Sequence, residues 1–192
     1  MKARRNHLIV KANLEQKESH EISMPDGSKI SIYIGRKYGE NNREINPSVC
    51  EVVSVGENVT EVSVGDTIIV HHNLIMNEAS YIERDGQTVH MGIPAGELIY
   101  AKIKEGGELV PVFNNLIAER VVKPKVSELE FEQKTEQMKF KVISVPDGYT
   151  DVEPGQYILA YKLSDHEMVY HYKNRENRAI RIAANDILGV FN

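Results

Sequence analysis

Cysteine is almost missing from this chain: Cys50 is the single one, so no intrachain disulfide can staple the fold, and a reducing compartment is expected. No motif surrounds Cys50, which reads as a small buried hydrophobe and not a nucleophile. Long apolar runs are missing too. No stretch approaches the roughly 20 residues of a membrane span, and the opening MKARRNHLIV has too few apolar residues after its basic start for a secretory leader. Nor is there an excess of basic charge: 23 Lys and Arg against 28 Asp and Glu give a net charge of −5, which removes the broad electrostatic footprint that nucleic acid or an anionic membrane would need. Finally, G-x-S-x-G, H-E-x-x-H, G-x-x-x-x-G-K-[ST] and G-x-G-x-x-G do not occur, so hydrolase, zincin, P-loop and dinucleotide chemistry have no anchor. The expectation is a cytoplasmic, non-enzymatic protein without cofactor or metal.

Histidines do not change that expectation. His71 and His72 are adjacent, and on a strand neighbouring side chains point to opposite faces, so the two imidazoles would not converge on one ion. His166 and His171 lie five apart in DHEMVYHYKNR with the same consequence. The basic run YHYKNRENRAIRI reads as a hairpin with a solvated face, its charge broken up by Glu176 and by the nearby Asp165.

What is present is an ordinary globular composition, 41% apolar and 27% charged over 192 residues, carrying an internal repeat. VVSVGENVTEVSVGDTIIV at 52–70 aligns without a gap to VISVPDGYTDVEPGQYILA at 142–160, with seven of nineteen positions identical, and self-similarity at this scale governs the whole fold assignment. Each copy has a β-branched run, a turn, a short extended piece, a second turn and a further apolar run. Gly65 and Gly155 fall where the second turn needs positive φ.

The repeat extends outward. NHLIVK at 6–11 echoes NNLIAE at 114–119, and GIPAGELIYA at 92–101 echoes RIAANDILGV at 181–190. Each half is therefore ordered as strand, variable loop, paired-turn unit, polar hairpin region (Asn73–Gly86 in the first) and closing strand. Many short strands at close turn spacing predict an all-β chain of two tandem small β-barrels. The expected units are 1–104 and 105–192, joined near Lys104-Glu105-Gly106-Gly107, a charged, glycine-containing stretch suited to a linker.

The halves differ most in their loops. The first, 14–47, is polar and turn-rich at both ends with ISIYI in its middle; the second, 123–140, is shorter. Long loops inside compact domains carry function or are disordered. A polar loop with an apolar island suits a segment that orders on a partner, with Ile30, Ile32, Tyr33 and Ile34 supplying the buried area; Leu129 and Phe131 are the weaker counterpart in the second loop. An equally open reading makes MPDGSKISIYI an ordered hairpin turning at PDG, with Ile30, Ile32 and Ile34 on a strand packed against the barrel.

The order N-H-L-I-V-K, long loop with apolar island, E-V-V-S-V-G, V-S-V-G-D-T-I-I-V and L-I-Y-A resembles the chaperonin-10 (GroES-like) co-chaperonin family. The second half resembles it again, through Leu109-Val110-Pro111, Asn114, Leu116-Ile117 and the closing Asn185-Asp186-Ile187-Leu188. The resemblance implies GroES-like barrels in tandem, in a divergent chain of the kind that phages encode. It also implies that Ile32, Tyr33 and Ile34 insert into an apolar groove of a chaperonin ring to close a folding chamber, and that the protein works as a homo-oligomer or within a larger assembly. The alternative reading, from a different class, is a structural virion protein, a capsid-decorating or neck component, whose loop grips neighbouring subunits.

Overall fold

A computed structural model describes residues 1–13, 19–23, 29–33, 44–45, 48–121, 137–161, 165–173 and 175–191. The first half begins with β1 (His7–Asn13), β2 (Ser19–Ser23), β3 (Lys29–Tyr33), β4 (Glu44–Ile45), β5 (Ser48–Val55) and β6 (Thr67–Val70). A short helix α1 (His72–Met76) leads to β7 (Tyr81–Asp85), β8 (Thr88–Pro94) and β9 (Ile99–Ile103). Then come β10 (Leu109–Pro111), β11 (Asn115–Arg120), β12 (Gln137–Ser144), β13 (Tyr157–Tyr161), β14 (Asp165–Tyr172), β15 (Arg175–Ala183) and β16 (Ile187–Phe191).

The fold is all-β, in two large sheets. The first has the order β10-β9-β6-β5-β1-β8-β7 and the second β16-β13-β12-β11-β15-β14-β4. Leaving aside β10 and β4, the two orders are the same six strands of the repeat. The match extends to register. Ile9 faces Ser54, and the ladder slips before Val10 meets Val52; Ile117 faces Ser144, and the ladder slips before Ala118 meets Val142. The same β-bulge therefore occurs twice, bending both sheets at one place. Gly65 and Gly155 have φ of 91° and 95°, and their N–H groups donate to the Val52 and Val142 carbonyls, each at 2.8 Å.

One expected alignment shifts. Ile99 pairs with Val70 as Ile187 pairs with Ala160, so the closing strands correspond one residue off the ungapped echo. The first half spends its extra residue in Pro94–Leu98, where the second half makes a 3-10 turn over Ala184–Asp186.

Neither sheet closes into a barrel among the described residues. The outermost strands, β10 and β7 in one and β16 and β4 in the other, share no ladder; each sheet instead curls so that the side chains of one face meet. Alternation on β8 shows how: Val89, Met91 and Ile93 are buried between the partly exposed Thr88, His90 and Gly92, the period-2 pattern of a half-buried strand. The two cores use the same positions. Leu8, Val10, Cys50, Val52, Val62, Ile68, Val70 and Ile93 in one match Leu116, Ala118, Phe140, Val142, Val152, Ile158, Ala160 and Ile182 in the other.

Two local expectations are corrected. Lys104–Glu108 is no loose linker but a tight turn, closed by Gly107 N–H to the Lys104 carbonyl (2.8 Å) and Lys104 N–H to the Glu108 carbonyl (2.9 Å). It turns β9 into β10, so the first sheet continues to Pro111. The strand does not run on through His71-His72: helix α1 starts at His72, the His71 Nδ1 accepts the Asn73 N–H (3.0 Å) and caps it, and the polar region expected as a hairpin from Asn73 opens with that helix before β7 and β8 pair.

Candidate functional site

The apolar island of the first loop lies on a hairpin. β2 and β3 pair antiparallel, with Ile30 across from Ile22, Ile32 across from His20 and Tyr33 across from Ser19. Among the described residues they form a separate two-stranded sheet joined to neither large one, so the ordered-hairpin reading holds for the pairing of the strands. Ile34, and Leu129 and Phe131 of the second loop, lie outside the described residues. The far end of the first loop crosses over: β4 runs parallel to β14, with Glu44 beside Glu167 and Ile45 beside Met168. A strand from the first half thus completes the edge of the second half's sheet.

The halves are joined by a third core. Ile69, Tyr100, Ala101 and Ile103 from the first sheet pack with Ile117, Met168 and Tyr170 from the second. A buried polar knot sits among them. Asn115, fully buried, donates from Nδ2 to the Ile99 carbonyl (2.9 Å) and to the Val112 carbonyl (2.8 Å), while its Oδ1 accepts the Arg181 Nε–H. The Arg181 guanidinium lies 5.2 Å from the centre of the Tyr100 ring, a favourable stack for a cation out of water. Burial pulls the Arg181 pKa down and pushes the Tyr100 phenol up to about 12, an effect that the nearby guanidinium partly offsets.

Sequence reading missed this knot. Asn115 registers only as part of NNLIAE and Arg181 only as one of three arginines on a solvated hairpin. β14 and β15 do form that hairpin, with Arg175 and Arg178 exposed, but Arg181 is turned inward. The available signal was the second asparagine of Asn114-Asn115: a polar amide at the head of an apolar strand invites the question of which buried carbonyls it serves.

The outer end of the second sheet shows a different surface. Leu188, Val190 and Phe191 on β16 and Tyr161 on β13 are each at least 40% exposed, and the exposed Lys139 ammonium stands 4.3 Å from the Tyr157 ring centre and 5.5 Å from that of Phe191. A shallow groove of about 290 Å³ borders this strand, lined by Tyr149, Asp151, Leu188 and Val190 among others. Cys50 is buried in the first core and its thiol is pushed up to about 12 by that burial. Among the described residues no group of three His, Cys, Asp or Glu is placed to hold a metal ion, and no helix is long and apolar enough to cross a membrane.

Compared with known proteins, the chain matches no family model and no curated sequence.

Proposed function

We propose that this chain is a duplicated, GroES-like co-chaperonin that binds a chaperonin ring non-enzymatically through the β2–β3 hairpin, with Ile30, Ile32, Tyr33 and Ile34 as the docking segment. The observation that carries the reading is the isolation of that hairpin. A lone two-stranded ribbon is marginally stable in water, so a chain whose described residues build one apart from both sheets, with isoleucines two apart on β3, gains stability by laying it against a partner. Each contact would be weak, because ordering a loop costs about 1–2 kcal/mol per residue fixed; several copies on one ring would multiply the effect.

The test mixes the purified protein with a host chaperonin and ATP and looks for a complex by native mass spectrometry, beside a variant lacking residues 20–42 and an Ile32→Asp variant. The reading expects a complex with the intact chain, its loss in both variants, and an unchanged melting temperature for Ile32→Asp. A second reading, the virion building block, is favoured by the exposed apolar end at β16. It gains if no chaperonin complex forms and the protein is recovered from purified virions, and that result overturns the first.

A further inference from the structure

The chain passes from one core to the other abruptly. Val112 is buried in the first core, against which Phe113 also packs, and Leu116 is buried in the second; only Phe113, Asn114 and Asn115 lie between. Phe113 and Asn114 have φ of 50° and 62°, a left-handed conformation that is unfavourable for any residue with a Cβ and rare for a bulky one. Two such residues in succession form a turn that its surroundings must hold. The Ala184 N–H donates to the Asn114 carbonyl (2.8 Å), and the Asn115 N–H to that of Val112 (3.1 Å). The first half enters β1 in the same way: the Ala95 N–H donates to the Asn6 carbonyl (2.8 Å), the His7 N–H to that of Arg4 (3.2 Å), and Arg5 has φ of 52°. This turn is therefore part of the repeat.

The polar knot built on the turn is not. Equivalent strand positions hold His7 for Asn115, Gly92 for Arg181 and Leu188 for Tyr100, so none of its three side chains recurs. Its contacts are also directional where the rest of the joint is not. Apolar packing among Ile69, Ile103, Ile117, Met168 and Tyr170 rewards burial without fixing direction, and a methionine adapts to what it meets. The Asn115 amide instead ties the head of β11 to the Ile99 carbonyl of β9 (2.9 Å) and to the Val112 carbonyl at the turn (2.8 Å), while its Oδ1 holds Arg181 of β15. That bond sets the guanidinium 5.2 Å from the centre of the Tyr100 ring of β9. Strands of both halves thus meet in hydrogen bonds that accept only a narrow range of distance and angle. Two other ties between the halves, β4 on β14 and the Lys173 Nζ to the Glu105 carbonyl (2.8 Å), reach β14 and its turn, on the far side of β15 from β11.

We propose that the knot of Asn115, Arg181 and Tyr100 latches a hinge at Phe113-Asn114, setting the angle between the two halves while adding little to their stability. Hinges are a few residues that absorb a φ/ψ change, and two non-glycine residues with positive φ gain by leaving that region. Exchanging a whole buried polar set for apolar groups of similar volume is close to neutral for stability; what it removes is the directional contact. With the latch gone, the apolar joint keeps its burial and the halves pivot on it. This holds whichever partner the hairpin grips.

The test is the distance between the halves in the full chain, read by double electron–electron resonance between spin labels on Val64→Cys and Glu153→Cys, both at exposed turn positions. Cys50 is buried and takes no label. The labelled parent should give a single narrow distance. Adding Asn115→Leu together with Arg181→Met should broaden or shift that distance while the melting temperature stays close to the parent's. A double variant whose distance is as narrow as the parent's and unmoved overturns the proposal, and so does a parent that is itself broad. Broadening that merely follows the loss of melting temperature across Asn115→Leu, Arg181→Met and the double variant overturns it too, because lost stability then explains both. Should the double variant not fold, Arg181→Met is read in its place: it leaves both carbonyl bonds of Asn115 standing and removes the tie to β15, so the distance should still broaden, and an unchanged one overturns the proposal.

Discussion

At Asn115 a single amide serves two carbonyls and one guanidinium in a site without water access. Replacing it with leucine strands the Arg181 Nε–H and removes a donor from both carbonyls, that of Val112 keeping the Asn115 backbone N–H at 3.1 Å, and losing a hydrogen bond to a buried charged group costs about 1.5–3 kcal/mol. Asn115→Leu should therefore shift urea unfolding by that amount, and adding Arg181→Met should recover much of it, because exchanging both partners for apolar groups is nearly neutral. Gly56 is constrained differently. A Cβ there would lie 2.1 Å from the Arg5 carbonyl oxygen, in a turn where Arg5 already has φ of 52°, so Gly56→Ala must displace backbone and should cost about 1–3 kcal/mol. Alkaline pH probes two more residues. Cys50 and Tyr100 are both pushed up to about 12 by burial. The unfolded chain loses these protons first, so their stabilising effect is complete at neutral pH and declines from about pH 9 toward 12, by roughly 1.4 kcal/mol per pH unit for each group. Chemical denaturation from pH 8 to 11 should show that decline, and Cys50→Val should flatten its first part.

Elements show what was legible and what was not. The paired-turn unit was plain in sequence, because turn glycines and β-branched runs are local signals; Gly65 and Gly155 adopt the conformation their spacing requires. Which residues fill the cores was not, since volume is traded across strands. Phe140 occupies the place of Cys50, and the second core compensates with Ala118 and Ala160 where the first has Val10 and Val70. That compensation is testable. Cys50→Phe alone should overpack the first core and cost about 1–3 kcal/mol, whereas Phe140→Cys should leave a cavity in the second and cost about 3–5 kcal/mol, both read from thermal melts. The hairpin strands could be inferred from ISIYI and its preceding turn, but their separation from both sheets could not, because it depends on what β1 and β5 already pair with. Asn115 and Arg181 were hidden for the same reason: their partners lie far along the chain.

For the whole molecule, the two halves are not beads on a string. Ile69, Tyr100 and Ile103 share a core with Ile117, Met168 and Tyr170, so exposing either set would cost both halves. Calorimetry should show one cooperative transition, its calorimetric and van't Hoff enthalpies agreeing. Two separated peaks would mean that the shared core contributes little.

The crossing of β4 onto β14 has a consequence in time. Glu44 and Ile45 leave the ribosome about 120 residues ahead of Glu167 and Met168, the backbone they pair with. At about 5–20 residues per second the wait is on the order of 6–25 s, during which the amino-terminal sheet can form but β4 has no strand to pair with. A nascent chain arrested before β14 should leave the Glu44 and Ile45 amides open to hydrogen exchange, and release of the full chain should protect them: the last step of building the first half waits for the second to be made.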